Sequence, residues 1–207
     1  MAHSINELTG RFAGEEVWVL GNGPSVNDVP FDRLDRRRVV GTNRILRKYD
    51  PGLNVLVDYE VWNQERGAMV ASDCGLAVSH ALWDTCIATG KPLPDERVYL
   101  FTHDANSYPG APEGPLYYGF LSGYYAAEIA VRMVWPAGRV ILAGFELGWP
   151  EKGPTHFFGD GREVGCHTKR FAEGIAALKV LHHATKKVDM RVFGESVLRK
   201  AGFEGAE

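Results

Sequence analysis

Residues 16–25, with the sequence EVWVLGNGPS, constrain the fold more than any other stretch of this chain. The first half is a short apolar run rich in β-branched and aromatic side chains, which is typical of a buried strand. The second half is a turn in which Gly21 and Gly23 permit a sharp bend and a close approach of the backbone. In α/β proteins the loop after the first strand lies at a ligand-binding edge of the sheet. The stretch therefore predicts either a ligand-binding loop or a plain strand-to-helix turn.

The glycine loop carries groups that suit a phosphate. Backbone N–H groups in such loops bind anions, and the side chains of Asn22 and Ser25 add further donors. The loop is not the standard dinucleotide fingerprint, because the third glycine is missing, and it is not a P-loop, because no Gly-Lys-Ser/Thr follows. Gly-Pro-Ser, with Pro24 at its centre, is also ordinary turn chemistry.

The composition indicates the class of protein. The chain has 207 residues, of which 45% are hydrophobic and 24% are charged, as expected for a single globular domain over residues 1–207. No apolar run approaches the ~20 residues that a membrane span needs. The first residues lack the pattern of a secretory signal, so we expect a cytoplasmic protein. The net charge of −3 argues against general nucleic-acid binding, and homo-oligomerisation is left open.

Apolar runs and helical patterns alternate along the chain. After residues 16–20, strands are predicted at residues 39–43, 53–58, 76–80, 97–102, 139–144 and 188–193. Helices are predicted at residues 31–38, at residues 59–74, from Ser122 to before Pro136, at residues 168–187 and at residues 196–201. This alternation predicts a Rossmann-like α/β fold: a doubly wound, mostly parallel sheet of six or seven strands with helices on both faces.

Polar residues follow several of the predicted strands. Asn43, Asp58 and Glu146 each stand at or just beyond a strand end, and the carboxyl ends of parallel strands gather at the edge where ligands bind. Two long irregular segments, residues 105–121 and 148–165, are expected to be functional or mobile. The aromatic residues of the first segment are interpreted as a lid over a sugar or pterin ring, or equally as side chains packed on the core.

Four motifs, taken in order, resemble those of known families. They are VLGNGPS at residues 19–25, Asn43 after a strand, Ser122-Gly123 at the start of an alanine-rich helix, and VILAGFE at residues 140–146. Together they resemble the bacterial CMP-sialic-acid-dependent sialyltransferases. They are equally similar to a group that includes the archaeal 6-hydroxymethyl-dihydropterin diphosphokinases.

The resemblance implies a nucleotide site and a general base. Its nucleotide-binding positions are Gly21, Asn22, Gly23, Ser25, Asn43, Ser122 and Gly123. His167, in the segment GCHT, matches the general base of the sialyltransferases, and Asp58 matches an aspartate typical of the diphosphokinase group. Two features depart from the sialyltransferases: Gly-Ile-Asp is replaced by GFE at residues 144–146, and their paired tyrosines have no clear match.

The residues leave three functions open. The first, narrowly favoured, is a glycosyltransferase with a CMP-sugar-like donor, a small-molecule or glycan acceptor, and His167 as the base, with His156 as its competitor. The second is a diphosphokinase that uses ATP and Mg²⁺, with Asp58 and Glu146 as metal ligands. The third is a nucleotide-binding module without catalysis. The predicted catalytic residues are His167 and Asp58, and Glu146 and Pro24 complete the predicted nucleotide site.

Overall fold

The structure, a computed structural model, describes residues 1–148, 155–159 and 168–206. Its strands are β1 (His3–Ser4), β2 (Glu16–Leu20), β3 (Val39–Thr42), β4 (Leu53–Leu56), β5 (Gly75–Ser79), β6 (Val98–Phe101), β7 (His103–Asp104), β8 (Leu116–Tyr117), β9 (Gly138–Ala143), β10 (Val188–Phe193) and β11 (Glu204–Ala206). Its helices are α1 (Tyr59–Ala71), α2 (His80–Ala88), α3 (Ser122–Val134), α4 (Thr168–Ala184) and α5 (Val197–Lys200).

Nine of the described strands form one parallel sheet. Their order is β1-β6-β5-β4-β3-β2-β9-β10-β11, and β7 and β8 form a separate parallel pair. The chain moves outward from β2 through β3, β4 and β5 to β6, and then returns to place β9 on the other side of β2. The strand order therefore reverses between β2 and β9, and the predicted α/β class with a mostly parallel sheet is confirmed.

The alternation within β2 shows how the sheet is buried. Val17 and Val19 belong to one hydrophobic cluster, to which α3 and α4 contribute, whereas Trp18 and Leu20 belong to another. Successive strand residues point to opposite faces, so apolar side chains cover both sides of β2. A third cluster joins side chains of α1 and α2 to β5 and β6. The central strands are mostly apolar because both of their faces are covered, and the polar exceptions Thr42 and Asn54 are buried.

Helix α3 packs closely on the centre of the sheet. Twelve of its thirteen residues are buried, and its contacts include β2, β3, β4 and β9. The small side chains of Ala126, Ala127 and Ala130 lie in the same cluster as Val17 and Val19. The alanine-rich pattern that predicted a helix close to the sheet is therefore confirmed, and α3 begins beside the carboxyl ends of the strands.

Two predicted elements have different bounds in the structure, and the sheet has nine strands where six or seven were predicted, because two edge strands were not predicted. Residues 31–38 form two short 3₁₀ turns rather than one helix, because the Asp35 carboxylate accepts the Arg37 N–H and starts a second turn. The strand predicted at residues 53–58 ends at Leu56, since Asp58 caps α1. The edge strands β1 and β11 have two and three residues, too few for a pattern to predict.

Two of the three cysteines lie in the described part of the chain. Cys74 and Cys86 are buried free thiols, and burial raises the pKa of both. Raised pKa values keep thiols protonated and unreactive, so these two residues pack as small apolar side chains. Among the described helices, none has the length and apolar character needed to cross a membrane.

Candidate functional site

A cavity of about 300 Å³ lies at the carboxyl ends of β2, β3, β4 and β9, where the strand order reverses. Of the predicted site residues, the ones that line it are Gly21, Asn22, Gly23, Asn43, Asp58, Ser122, Gly123 and Glu146. Pro24 and Ser25 do not line it and begin the 3₁₀ turn Pro24–Asp28. His167 lies outside the described residues, and His156 lines the cavity. Residues from several distant parts of the chain thus surround one cavity.

The N–H groups of the glycine loop donate to the end of β9. The Gly21 N–H donates to the Ala143 carbonyl at 2.7 Å, and the Gly23 N–H donates to the Gly144 carbonyl at 3.0 Å. The Ser25 N–H donates to Oε1 of Glu146 at 2.7 Å. A phosphate has to displace the Glu146 carboxylate to reach this last N–H. The phosphate contacts of the loop stay a prediction.

The two loop glycines lie very close to residues 144–146, which follow β9. A Cβ atom on Gly21 would lie 2.3 Å from the Gly144 carbonyl oxygen, and one on Gly23 would lie 1.4 Å from Oε2 of Glu146. Real Cβ atoms do not approach so closely, so a side chain at position 21 would clash with the backbone and one at position 23 would require Glu146 to move. The Ser25 hydroxyl also accepts the Gly144 N–H at 3.0 Å. The loop and residues 144–146 therefore form one interlocked unit.

The Asn22 side chain is held at the cavity by a hydrogen bond to β3. Its Nδ2 donates to Oγ1 of Thr42 at 3.1 Å, and the Thr42 hydroxyl in turn donates to the Leu20 carbonyl at 3.2 Å. Because the Thr42 proton is used in this way, its oxygen accepts, and this fixes the Asn22 amide with Nδ2 towards Thr42. Oδ1 of Asn22 is buried and lacks a hydrogen-bond partner within the described residues.

Two more acceptors of this cavity are in the same position. Oδ1 of Asn43 and Oε2 of Glu146 are buried without a partner in the described part of the chain. Asn43 has a left-handed backbone with φ +50°, which asparagine tolerates. Its N–H donates to Val55, and its carbonyl accepts Nδ2 of Asn54 at 3.1 Å. One backbone group and one side chain of β4 therefore hold Asn43 at the cavity.

Asp58 and Glu146 are the carboxylates that were predicted to bind a metal. Oδ1 of Asp58 accepts the Glu60 N–H at 2.8 Å and so caps α1, while Asp58 itself is exposed. The described residues contain no group of three or more His, Cys, Asp or Glu side chains arranged to hold a metal ion. Mg²⁺ needs only one or two carboxylates when substrate phosphates supply other ligands. The described residues therefore fit Mg²⁺ only if substrate phosphates supply its other ligands.

Arg44 is the cation that the sequence prediction did not include in the site. Its Nε lies 3.3 Å from Oε1 of Glu65, and its guanidinium lies 5.6 Å from the centre of the Phe158 ring. Glu65 is buried and also pairs with Arg47. The position directly after Asn43 was the available signal for Arg44, whereas nothing in the sequence indicated its partner Phe158.

The short segment of residues 155–159 adds a histidine to the cavity. The Phe157 N–H donates to the Asn22 carbonyl at 3.0 Å and ties this segment to the glycine loop. The His156 ring stacks on Phe158 at 4.8 Å, and its Nδ1 lies 2.9 Å from the hydroxyl of Thr155. Packing and hydrogen bonding thus orient an imidazole beside the loop.

Comparison with known proteins adds no family assignment. The chain matches no protein-family model, and a search of the curated proteins found no match for it.

Proposed function

We propose that this protein is a nucleotide-dependent transferase, and specifically a glycosyltransferase that binds a CMP-sugar-like donor in the cavity. The observation that carries this proposal is a set of three buried acceptors that have no hydrogen-bond partner among the described residues: Oδ1 of Asn22, Oδ1 of Asn43 and Oε2 of Glu146. A buried acceptor without a donor costs about 1–3 kcal/mol. Ribose and sugar hydroxyls donate hydrogen bonds, whereas ionised phosphates only accept them. A ligand rich in hydroxyls satisfies these three atoms.

The Glu146 carboxylate also favours a sugar-bearing donor over a free triphosphate. It already accepts the Ser25 N–H inside the glycine loop, in the place where such loops hold phosphate in other proteins. A triphosphate there meets a negative charge and loses at least one N–H donor. A donor with one phosphate between two hydroxyl-bearing rings needs fewer such contacts.

The reaction needs a base close to the acceptor. The acceptor hydroxyl oxygen forms a bond to the anomeric carbon of the donor sugar, and the bond from that carbon to the phosphate oxygen breaks. The nucleotide leaves with the electron pair, and the base takes the hydroxyl proton. The motif resemblance assigns this role to His167. His156, which lines the cavity, is the candidate base within the described residues.

We also propose that the fold is doubly wound and Rossmann-like. A doubly wound, Rossmann-like arrangement is supported by the reversal of strand order between β2 and β9 and by the hydrophobic clusters on the two sides of β2. Ligands of such sheets bind at the reversal point, where the cavity lies. A cytoplasmic location and a small-molecule or glycan acceptor complete the proposal.

A diphosphokinase that transfers diphosphate from ATP to a pterin-like alcohol is the second candidate. The observation in its favour is that Asp58 and Glu146 line one cavity and that Oε2 of Glu146 lacks a partner among the described residues. Carboxylate oxygens are suitable Mg²⁺ ligands, and bound Mg²⁺ neutralises charge that develops on the phosphates. This candidate requires the metal, and the glycosyltransferase proposed above does not.

A thermal-shift screen separates the candidates. CMP, CDP, UDP, GDP, AMP and ATP are tested one at a time, with and without Mg²⁺. A ligand present at 100 times its dissociation constant stabilises the protein by about 2.7 kcal/mol. We expect stabilisation by CMP without Mg²⁺, followed by CMP release from a CMP-sugar when an acceptor is added. Stabilisation by ATP, and only when Mg²⁺ is present, would favour the diphosphokinase. No stabilisation by any nucleotide would contradict both candidates, and binding without turnover would favour a non-catalytic module.

A further inference from the structure

A buried ion pair of α3 fixes the aromatic segment of residues 105–121. Glu128 is fully buried, and its two carboxylate oxygens accept the N–H groups of Gly110 and Tyr117 at 3.1 and 3.0 Å. Arg132, 3.5 Å from Glu128, donates to the carbonyls of Gly114 and Pro115 at 2.9 and 3.0 Å. Four backbone groups of the segment are therefore held by two side chains of one helix.

The end of this segment carries two partly exposed aromatic rings, of which Phe120 lines the cavity and Tyr118 packs on Phe120. Phe120 lines the cavity with 43% of its surface exposed, and Tyr118 is 39% exposed. Their rings meet edge to face at 4.7 Å, and His103 lies 5.0 Å from the Tyr118 ring. We name Tyr118 and Phe120 the aromatic rim. Both residues are thus partly exposed, although they lie directly before the buried helix α3.

The backbone beneath the rim is constrained in a way that turns Phe120 outward. A Cβ atom on Gly119 would lie 1.8 Å from the ring of Tyr124, so the chain passes directly over α3 at that point. Phe120 follows with φ +64°, a left-handed conformation that is unfavourable for a bulky residue. The Phe120 ring packs edge to face on Tyr118 and is 43% exposed.

We propose that the aromatic rim is the acceptor subsite of the transferase and that it stacks on the pyranose ring of a glycan acceptor. This inference rests on the proposed function. Phe120 lines the cavity that is proposed to hold the donor, so the rim presents an apolar ring face beside that donor. A pyranose acceptor fits this surface, since its C–H face is apolar and stacks on an aromatic ring. The rim positions the acceptor, and the cavity holds the donor.

Saturation-transfer NMR with methyl β-D-galactopyranoside tests this inference. The sugar is added to the protein with saturating CMP, and CMP binding is measured in the same samples by thermal shift. In the wild-type protein we expect transfer to the C–H protons on one face of the sugar. Phe120→Gly should lower that transfer at least fivefold, and Phe120→Tyr should retain it. The matched control is Tyr108→Ser, because Tyr108 is 64% exposed in the same segment but does not line the cavity.

Phe120→Gly is expected to fold normally, because Phe120 has a positive φ and glycine readily adopts this conformation. Without ligand, the melting temperature of Phe120→Gly should equal or exceed that of the wild type, which shows that the variant is folded. The inference is overturned if saturation transfer to the galactoside is absent in the wild type or is equally strong in Phe120→Gly. CMP binding by the wild type would still leave the proposed function standing. Saturation transfer to 6-hydroxymethylpterin but not to the galactoside would also overturn the inference and would favour the diphosphokinase. If saturation transfer to the galactoside depends on Phe120 but no nucleotide binds, the result supports sugar binding at the aromatic rim and contradicts the proposed function.

Discussion

The carboxylate of Glu146 occupies the position that a side chain on Gly23 would fill. A Cβ atom on Gly23 would lie 1.4 Å from Oε2 of Glu146, and Oε1 of the same carboxylate accepts the Ser25 N–H at 2.7 Å. The glycine loop is thus shaped around a residue more than a hundred positions away in the chain. Gly23 and Glu146 are constrained by each other as well as by any ligand.

This relationship predicts that the two positions are energetically coupled. Gly23→Ala should lower the free energy of unfolding by about 1–3 kcal/mol, the usual cost of overpacking, because Glu146 has to move. In a Glu146→Ala background the same change should cost clearly less, although contact with the Gly144 carbonyl at 2.9 Å remains. Urea denaturation of the two single variants and the double variant measures the coupling. Additive effects would contradict it.

The charge of Glu146 gives a prediction whose sign distinguishes two roles. Glu146→Gln retains an oxygen for the Ser25 N–H but puts an amide donor where Oε2 was. If the carboxylate accepts ligand hydroxyls, affinity for CMP should fall by roughly tenfold or more, since hydrogen bonds to charged groups contribute about 1.5–3 kcal/mol. If it only repels phosphate, affinity should rise. Calorimetry decides, with Glu60→Gln as the control because Glu60 is an exposed carboxylate on the same cavity.

The sequence predicts the strands of the sheet well because most of them are apolar runs bounded by turns. β2, β9 and β10 lie where these runs were found, and β5 was also predicted. Polar strand ends correctly indicated that Asn43, Asp58 and Glu146 lie around one cavity. That the Glu146 side chain enters the glycine loop was not predictable, because it depends on the pairing of β2 with β9 across most of the chain.

The anchoring of the aromatic segment was equally hidden. Glu128 and Arg132 have the spacing of an ordinary helical surface pair, and nothing local indicates that both are buried or that they bind the backbone of residues 110–117. Burial raises the pKa of the Glu128 carboxyl and lowers that of the Arg132 guanidinium, while each charge opposes the shift of the other. Such a pair is defined by tertiary packing alone.

Asp58→Asn should separate the two candidate functions without disturbing the fold. Asparagine caps helices about as well as aspartate, so α1 should keep its cap and the melting temperature should stay close to that of the wild type. A metal-independent glycosyltransferase should retain its CMP affinity. A diphosphokinase should lose Mg²⁺-dependent ATP binding, as measured by calorimetry with and without Mg²⁺. A large loss of stability would contradict the view that the capping role is preserved.

Removal of one member of the buried ion pair should be costly. Glu128→Gln leaves Arg132 without its counter-charge and turns an amide donor towards one of two backbone N–H groups, so we expect a loss of about 3–5 kcal/mol in unfolding free energy. Glu128→Gln combined with Arg132→Met should recover part of this loss. The matched control is the exposed pair of Arg139 and Glu16, where Glu16→Gln should cost about 1 kcal/mol or less. Urea denaturation gives the energies, and equal costs at the two sites would contradict the prediction.

His182 should make stability depend on pH near neutrality. Its ring stacks on Phe203 at 4.5 Å, and burial, together with the neighbouring His183, lowers its pKa below the ordinary value of 6.5, with Asp189 and Glu204 acting in the opposite direction. Below pH 6.5 the unfolded chain binds a proton that the folded protein binds less readily, so this contribution to stability is complete above that pH and is lost as the pH falls. His182→Leu should therefore flatten the decline of melting temperature between about pH 7 and pH 5. His183→Gln, which removes only the neighbouring charge, should flatten it less. Identical pH profiles for the wild type and His182→Leu would show that this imidazole titrates alike in the folded and unfolded states.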